Sequence, residues 1–218
     1  PGSTVGIGDI ALAVFAAHDL PDGVEPSLDS DATYDPENFS FPHGTHLCAV
    51  EVDTETGFTK IRKYVCVDDV GTAINPLIIE GQVHGGLAQG IAQAMFEEAV
   101  FDDAGNLTTG TFVDYTVPSA TDLPSFSTDR TETPSTSNPL GVKGVGEAGT
   151  IASTPAVVNA VVDALRPFGV NDIRMPATPE RVWRAIHGAS RGAQDERAEA
   201  GTTAYGGAST STSDGGTS

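Results

Sequence analysis

Two glycine-rich stretches constrain the fold of this 218-residue chain more than anything else in it. The first, Glu80 to Gly90, places glycines at 81, 85, 86 and 90 inside an apolar repeat of Val83, Leu87, Ile91, Ala94 and Met95. That repeat follows the 3.6-residue period of a helix. Each interior glycine costs about 1 kcal/mol relative to alanine, so bare backbone must be needed there. Two needs are open: tight packing against another helix, or close approach of a large ligand. Gln82, with one acceptor and two donors, suits orienting an oxo or phosphate group, or merely capping backbone. The second stretch, Gly141 to Thr150, sets Lys143 and Glu147 among glycines at 141, 144, 146 and 149. Consecutive N–H groups in such a loop can form an anion-binding nest, and the helix that follows adds positive potential at its N-terminus. Lys143 would reinforce that nest. Glu147 is a lone carboxylate among Gly, Ala and Val, where partial desolvation would make it a better base. The plain alternative is a solvated glutamate in a glycine turn, since the pattern matches neither a Walker A loop nor a dinucleotide fingerprint.

The rest of the chain reads as mixed α and β. An apolar helix-like stretch runs from Ile10 to Ala17, followed by a turn-rich region from Pro21 to Pro42. His46–Val52 and Phe58–Val65 flank Asp53–Gly57 as a β-hairpin, with Val67–Val70 extending the second strand. Asn75-Pro76 opens the long glycine-bearing helix. Glu97–Phe101 and Thr111–Val117 are expected to pair as strands around Asp102–Asn106. Residues 118–140 form a long Pro/Ser/Thr-rich connection, a type that is usually functional or wraps a neighbour. Ser153-Thr154-Pro155 signals a helix start, and Pro179–Ile186 a short terminal helix with the single Trp183. From Gly188 the sequence loses its apolar period and reads as a disordered tail, 188–218.

Eleven basic residues against 30 acidic ones give a formal charge of −19, which excludes nucleic acid or an anionic membrane surface as the main partner. No run approaches the roughly 18 uncharged apolar residues of a membrane span. Lysine occurs only at 60, 63 and 143, and Asp outnumbers Glu. This composition points to adaptation to high salt, which screens repulsion between like charges. Cys48 and Cys66 sit in apolar contexts without metal spacing, so buried free thiols in a reducing cytoplasm are expected. His43, His46 and His84 show no metal-ligand spacing either and read as structural or surface residues, His84 being the one best placed to approach a ligand. Pro1, with no Met and no signal segment before it, reads as the start of a piece of a longer chain.

Several motifs in order carry a resemblance: Val67–Pro76, Glu80–Gly90, Asn138–Gly149 and Met175–Trp183. Together they resemble the C-terminal part of the molybdenum-binding large subunit of the xanthine dehydrogenase and aldehyde oxidase family, most like its aerobic carbon monoxide dehydrogenase type. The resemblance covers residues 1–187 as one catalytic domain. It implies an α+β fold, the C-terminal molybdopterin-binding domain of a molybdenum hydroxylase, present here as a fragment. It implies molybdopterin cytosine dinucleotide with Mo as cofactor, and FAD and an iron–sulfur (2Fe-2S) cluster on partner subunits. Those partners would be an FAD-binding medium subunit and an iron–sulfur small subunit, in a dimer of heterotrimers. Residue by residue, the family's catalytic base falls on Glu147 and its glutamine beside the metal on Gln82. Cofactor-lining backbone falls on Gly85 and Gly86 and on Lys143, Gly144, Val145 and Gly146. The metal is held by the pterin dithiolene in this family, so no protein metal ligand is implied. The activity implied is hydroxylation of carbon monoxide, an aldehyde or an N-heterocycle with oxygen from water, the substrate-selecting loops lying before Pro1. The contrasting reading is a non-catalytic acidic assembly or binding module whose glycines serve only packing. The charge reading carries its own test: far-ultraviolet circular dichroism of the purified protein should show structure in molar KCl and loss of it in dilute buffer, whereas full structure in dilute buffer would contradict salt adaptation.

Overall fold

The structure, a computed structural model, describes residues 4–188, so the tail expected over 188–218 lies outside it except for Gly188. The described chain divides into two compact units that meet between Glu37 and Asn38. The first carries helix α1, Ile7–Ala16. Asp9 sits in its first turn, where a negative charge favours the helix dipole, and Ala17 ends it in the left-handed conformation with its N–H on the Ala13 carbonyl. None of the α1 side chains is buried, although Ile7, Leu12 and Phe15 are apolar.

The second unit begins with the expected hairpin. β1 (His43–Val52) pairs antiparallel with β2 (Thr59–Asp69), with a register shift at Ala49/Val50. Its turn is closed by the Asp53 carboxylate, which accepts from the Glu55 N–H and the Thr56 hydroxyl at 2.9 and 2.8 Å. Helix α2 (Pro76–Met95) starts where the sequence signals it, with the Asn75 side chain accepting from the Ile78 N–H. Helix α3 (Ala148–Leu165) packs against α2 and β1 and continues into a single 3-10 turn, Arg166–Phe168. A final helix, α4, covers residues 179–188.

Two apolar clusters result. Ile61, Tyr64 and Cys66 of the sheet meet Val83, Leu87, Ile91, Ala94 and Met95 of α2 and Val157 of α3. Val161 and Leu165 at the other end of α3 meet Val170, Ile173, Val182 and Ile186. The Met175–Trp183 segment joins the two: the Ala177 N–H donates to the Ala94 carbonyl at 2.7 Å, and Arg181 grips both oxygens of Glu98 at 2.8 and 2.7 Å. By length and composition Ala148–Phe168 could cross a membrane, which the sequence reading passed over. In the fold, Val157, Val161 and Leu165 are fully buried against α2, the sheet and α4, as in the core helix of a folded domain.

Three expectations are corrected. Glu97–Phe101 and Thr111–Val117 form no strand pair; the described residues there hold one isolated bridge, Phe101 to Leu107. The Asp102 carboxylate takes the N–H groups of Ala104 and Asn106 at 3.0 and 2.8 Å, so side-chain bonding displaces a ladder, and Phe112 and Val113 stand in solvent. The 118–140 connection is not wholly irregular. It contains β3 (Phe126–Thr131), which pairs parallel with β2, a non-local pairing that its polar sequence does not announce. Finally, α3 begins at Ala148 and takes Pro155 into its interior. The Ser153 and Thr154 hydroxyls do not cap it; they turn to the Gly86 and Gly90 carbonyls of α2 at 3.5 and 3.2 Å. Packing between the helices thus outweighs the roughly 3 kcal/mol penalty of an interior proline.

The α2–α3 contact is close because both sides are bare. A Cβ on Gly149 would lie 2.6 Å from the Val83 carbonyl oxygen, and one on Gly86 2.9 Å from the Thr150 nitrogen. A buried ion pair ties the other end of the glycine loop. Asp69 at the end of β2 accepts from Lys143 Nζ at 2.9 Å and from the Gly71 N–H at 3.0 Å, and its second oxygen accepts from the Thr131 hydroxyl at 3.2 Å. The Lys143 ammonium, aided by hydrogen bonds from Thr133, holds the Asp69 carboxyl well below the usual carboxylate range.

Two outcomes are expected. Gly149→Ala should destabilise by about 1–3 kcal/mol through overpacking, whereas Gly85→Ala, with nothing within 4 Å of its added Cβ, should stabilise by up to about 1 kcal/mol; denaturant titration resolves the opposite signs. A carboxylate with a depressed folded pKa contributes stability above its unfolded value, about 3.9, and loses it as pH falls toward the folded value. The stability gap between wild type and Asp69→Asn, measured by thermal unfolding, should therefore be full at pH 7 and narrow below about pH 4.

Candidate functional site

On α2 the glycines divide by face. Gly86 and Gly90 are buried against α3, while Gly81 and Gly85 meet nothing within 4 Å. Gln82 and Gln89 are exposed on the same side as the open pair, because positions three, four and seven apart share a helix face. Gly86 and Gly90 thus serve the packing of the two helices, while Gly81 and Gly85 leave the other face bare.

The second glycine stretch is stitched to the end of β2. Gly71 (φ 69°) and Gly141 (φ 68°) adopt left-handed backbone, and a Cβ on Gly71 would strike the Gly141 carbonyl. Around them, the Thr72 N–H donates to the Gly141 carbonyl at 3.0 Å, and the Lys143 N–H to the Val70 carbonyl at 2.9 Å. The Asn138 side chain closes the loop, donating to the Val142 carbonyl and accepting from the Val142 N–H at 2.8 and 3.1 Å. Beyond Lys143 the chain reaches outward: Gly144, Gly146 and Glu147 are exposed, while Val145 packs on the core.

The two stretches converge. Gln82 Nε2 lies 3.8 Å from where a Cβ on Gly146 would stand, and Glu147 is the next residue. Glu147 occupies the N-cap position of α3 without capping it through its side chain, so an exposed carboxylate follows directly on the glycine that Gln82 approaches. Two expectations differ from this picture. Glu147 is exposed in this chain, not desolvated. The Lys143 ammonium points to Asp69 and is neutralised there, so the loop offers an anion its backbone N–H groups and helix end without that extra charge. A cavity of about 410 Å³ lies elsewhere, between the hairpin turn and the end of α2, bordered by Phe58, Ile61, Met95 and Leu123, and includes neither Gln82 nor Glu147.

Asp68 and Asp69 are given no role by the sequence beyond their place in the Val67–Pro76 motif and in the net charge. A signal for burial was present in the uninterrupted apolar run Tyr64–Val67 that leads into them within one strand, and the structure buries both. Asp68 accepts from His46 Nε2 at 3.1 Å, and His46 Nδ1 accepts from the Tyr64 hydroxyl at 2.9 Å. His46 is thereby a structural residue of the sheet. With Cys66 these side chains place three potential metal-ligand atoms within 4.8 Å of one another, but both ring nitrogens of His46 are already engaged. Burial pushes the Cys66 thiol up to about 12 and Cys48 to about 11, so both remain protonated. His84 lies half-buried against the Phe126 ring, 5.5 Å between centroids, rather than on the open face.

A bare helix face, an exposed amide and an exposed carboxylate beside a helix N-terminus form a surface suited to a large polar cofactor. Comparison with known proteins identifies the family. The model of the molybdopterin cofactor-binding domain family matches residues 3–124. The chain is 46% identical over 180 residues to the carbon monoxide dehydrogenase large chain of Hydrogenophaga pseudoflava, covering 83% of this chain and 22% of that protein. It is also 46% identical over 187 residues to the nicotine 6-hydroxylase large subunit of Paenarthrobacter nicotinovorans, covering 85% and 23%. The crystal structure of a Cu,Mo carbon monoxide dehydrogenase in its carbon monoxide reduced state superposes with a TM-score of 0.77 at 39% identity, over 84% of this chain and 23% of that one. The chain thus spans under a quarter of the length of these relatives, and by match and fold it belongs to the molybdopterin cofactor-binding domain family.

Proposed function

We propose that this chain is the segment of a molybdenum hydroxylase large subunit that supplies the catalytic base, Glu147, and part of the cofactor cradle, Gln82, Gly85, Lys143, Gly144, Val145 and Gly146; Gly86, expected there from the sequence, is instead buried against α3. The observation that carries the reading is the convergence of Gln82 and the Gly146–Glu147 step at one open surface. The residues present fit such a cofactor: Gly81, Gly85 and Gly144 have nothing within 4 Å of the side on which a Cβ would stand, so bare backbone is open to a large group there. Lys143 contributes through its backbone, its side chain being held by Asp69.

The net reaction is R–H + H2O → R–OH + 2H⁺ + 2e⁻ for an aldehyde or an N-heterocycle, and CO + H2O → CO2 + 2H⁺ + 2e⁻ for carbon monoxide. A bound molybdenum pterin supplies a Lewis-acidic, two-electron acceptor for this chemistry. Glu147 takes the proton from the water-derived oxygen at its carboxylate, and its exposed position at the N-terminus of α3 lets it reach the reacting oxygen and pass the proton on to solvent. Gln82 Nε2 would donate to an oxygen of such a group, and Gly85 and Gly144 would leave bare backbone for the pterin. The cofactor form is molybdopterin cytosine dinucleotide. FAD and iron–sulfur subunits receive the electrons in a cytoplasmic dimer of heterotrimers. Equal identity to a carbon monoxide dehydrogenase and to a nicotine hydroxylase leaves carbon monoxide, an aldehyde and an N-heterocycle as candidate substrates, since this segment is shared by enzymes acting on different molecules. Packing alone, as in an acidic assembly module, accounts for Gly86 and Gly90 but not for the open Gly81 and Gly85.

The test is Glu147→Gln in the full-length subunit assembled with its partners, assayed with carbon monoxide, benzaldehyde and quinoline as probe substrates. Turnover should fall by several orders of magnitude while molybdenum and pterin content stay at wild-type levels. Normal turnover would remove Glu147 as the base, and a matured wild type without molybdenum or pterin would favour the assembly module.

A further inference from the structure

We propose that the buried Asp69–Lys143 ion pair is a positioning device for Glu147, which makes Asp69 and Lys143 positioning residues of the reaction. This rests on Glu147 being the base.

Glu147 is suspended between two anchors. On its C-terminal side, Gly149 is wedged against the Val83 carbonyl and the Leu87 nitrogen of α2. On its N-terminal side, Lys143 is the last residue whose side chain and backbone are both tied to the end of β2, by Nζ to Asp69 and by its N–H to the Val70 carbonyl. Between Lys143 and Glu147 lie only Gly144, Val145 and Gly146, of which Val145 rests against the core and accepts the Ala148 N–H at 3.3 Å. The two glycines add no side-chain restraint, and Gly144 touches nothing that a Cβ would meet within 4 Å. The direction in which the chain leaves Lys143 therefore helps set where the Glu147 carboxylate points.

Asp69 is built for that task. Its two oxygens join three segments that are far apart in sequence: the end of β2 through the Gly71 N–H, the end of β3 through the Thr131 hydroxyl, and the glycine loop through Lys143. Every one of these partners donates to it, so the carboxylate is satisfied only when all three segments are in place. An anion-binding lysine would instead leave its ammonium free beside the open surface. Here it turns inward to a group that is 5% exposed.

The test uses the assembled holoenzyme and whichever of carbon monoxide, benzaldehyde or quinoline it turns over. Asp69→Asn combined with Lys143→Met removes both charges together, so neither is left buried without its counter-ion. The double variant should retain molybdenum and pterin and keep its KM within a few-fold, while kcat falls about 100-fold, the scale of an ångström-sized misplacement. Added to Glu147→Gln, the same pair of changes should cause no further loss in single-turnover rate, because the group they position is already gone. Lys143→Arg, which keeps the charge, should recover part of kcat. Wild-type kcat in the double variant beside an inactive Glu147→Gln would overturn the positioning role and leave the base assignment standing. A further, multiplicative loss on the Glu147→Gln background, or loss of molybdenum and pterin, would show that the pair acts on the cofactor and would also overturn it. Full activity of Glu147→Gln alone would remove the base and the proposal with it.

Discussion

The contact between α2 and α3 is the constraint on which the second unit depends. Two helices whose facing residues are Gly86, Gly90, Gly149 and Ser153 bring backbone against backbone, at separations no larger side chain would allow. That closeness lets Leu87 and Ile91 of α2 share one core with Val157 and the sheet, and it carries the start of α3 to the side of α2 where Gln82 stands. A single added methyl at Gly149 would press on a carbonyl and a nitrogen that have no alternative place to go, since packed interiors yield little.

The site is arranged as a rigid rim around a sparse centre. Hydrogen bonds from Asn138, Gly71 and Thr72 and the Asp69–Lys143 pair fix the loop up to residue 143, and the helix packing fixes it from residue 149 onward. Between the two fixed ends, the residues that would face a ligand are small or exposed. Such an arrangement suits a large polar group: backbone supplies donors and clearance, and on the proposed function the few side chains present would carry the chemistry. The acidic pair that looked like surface charge in the sequence is instead interior, with Asp68 serving the sheet through His46 and Asp69 serving the loop through Lys143.

Local signals in the sequence were reliable where the structure they specify is local. The hairpin around Asp53–Gly57, the Asn75-Pro76 helix start and the terminal helix at Pro179 all depend on residues within a few positions of one another. Signals failed where a distant segment decided the outcome. Ser153-Thr154-Pro155 looks like a cap because those residue types usually cap; here the hydroxyls find partners on α2, which no local pattern announces. β3 is polar and short, and becomes a strand because β2 presents it an edge. The reverse case is the Glu97–Val117 region, whose apolar alternation promised strands while Asp102 and Thr111 gathered the backbone into turns.

The sequence by itself determined the chemistry available: Gln82 and Glu147, each set among glycines, in motifs that resemble those of molybdenum hydroxylases. Residue identity and spacing along the chain are covalent facts, and they carry family membership. Only the tertiary structure decided which glycines pack and which stay open, that Lys143 faces inward to Asp69, and that Glu147 lies in solvent beside Gln82. Those outcomes depend on which remote surface each residue meets, and that is settled by the burial of the two helices against each other and the sheet.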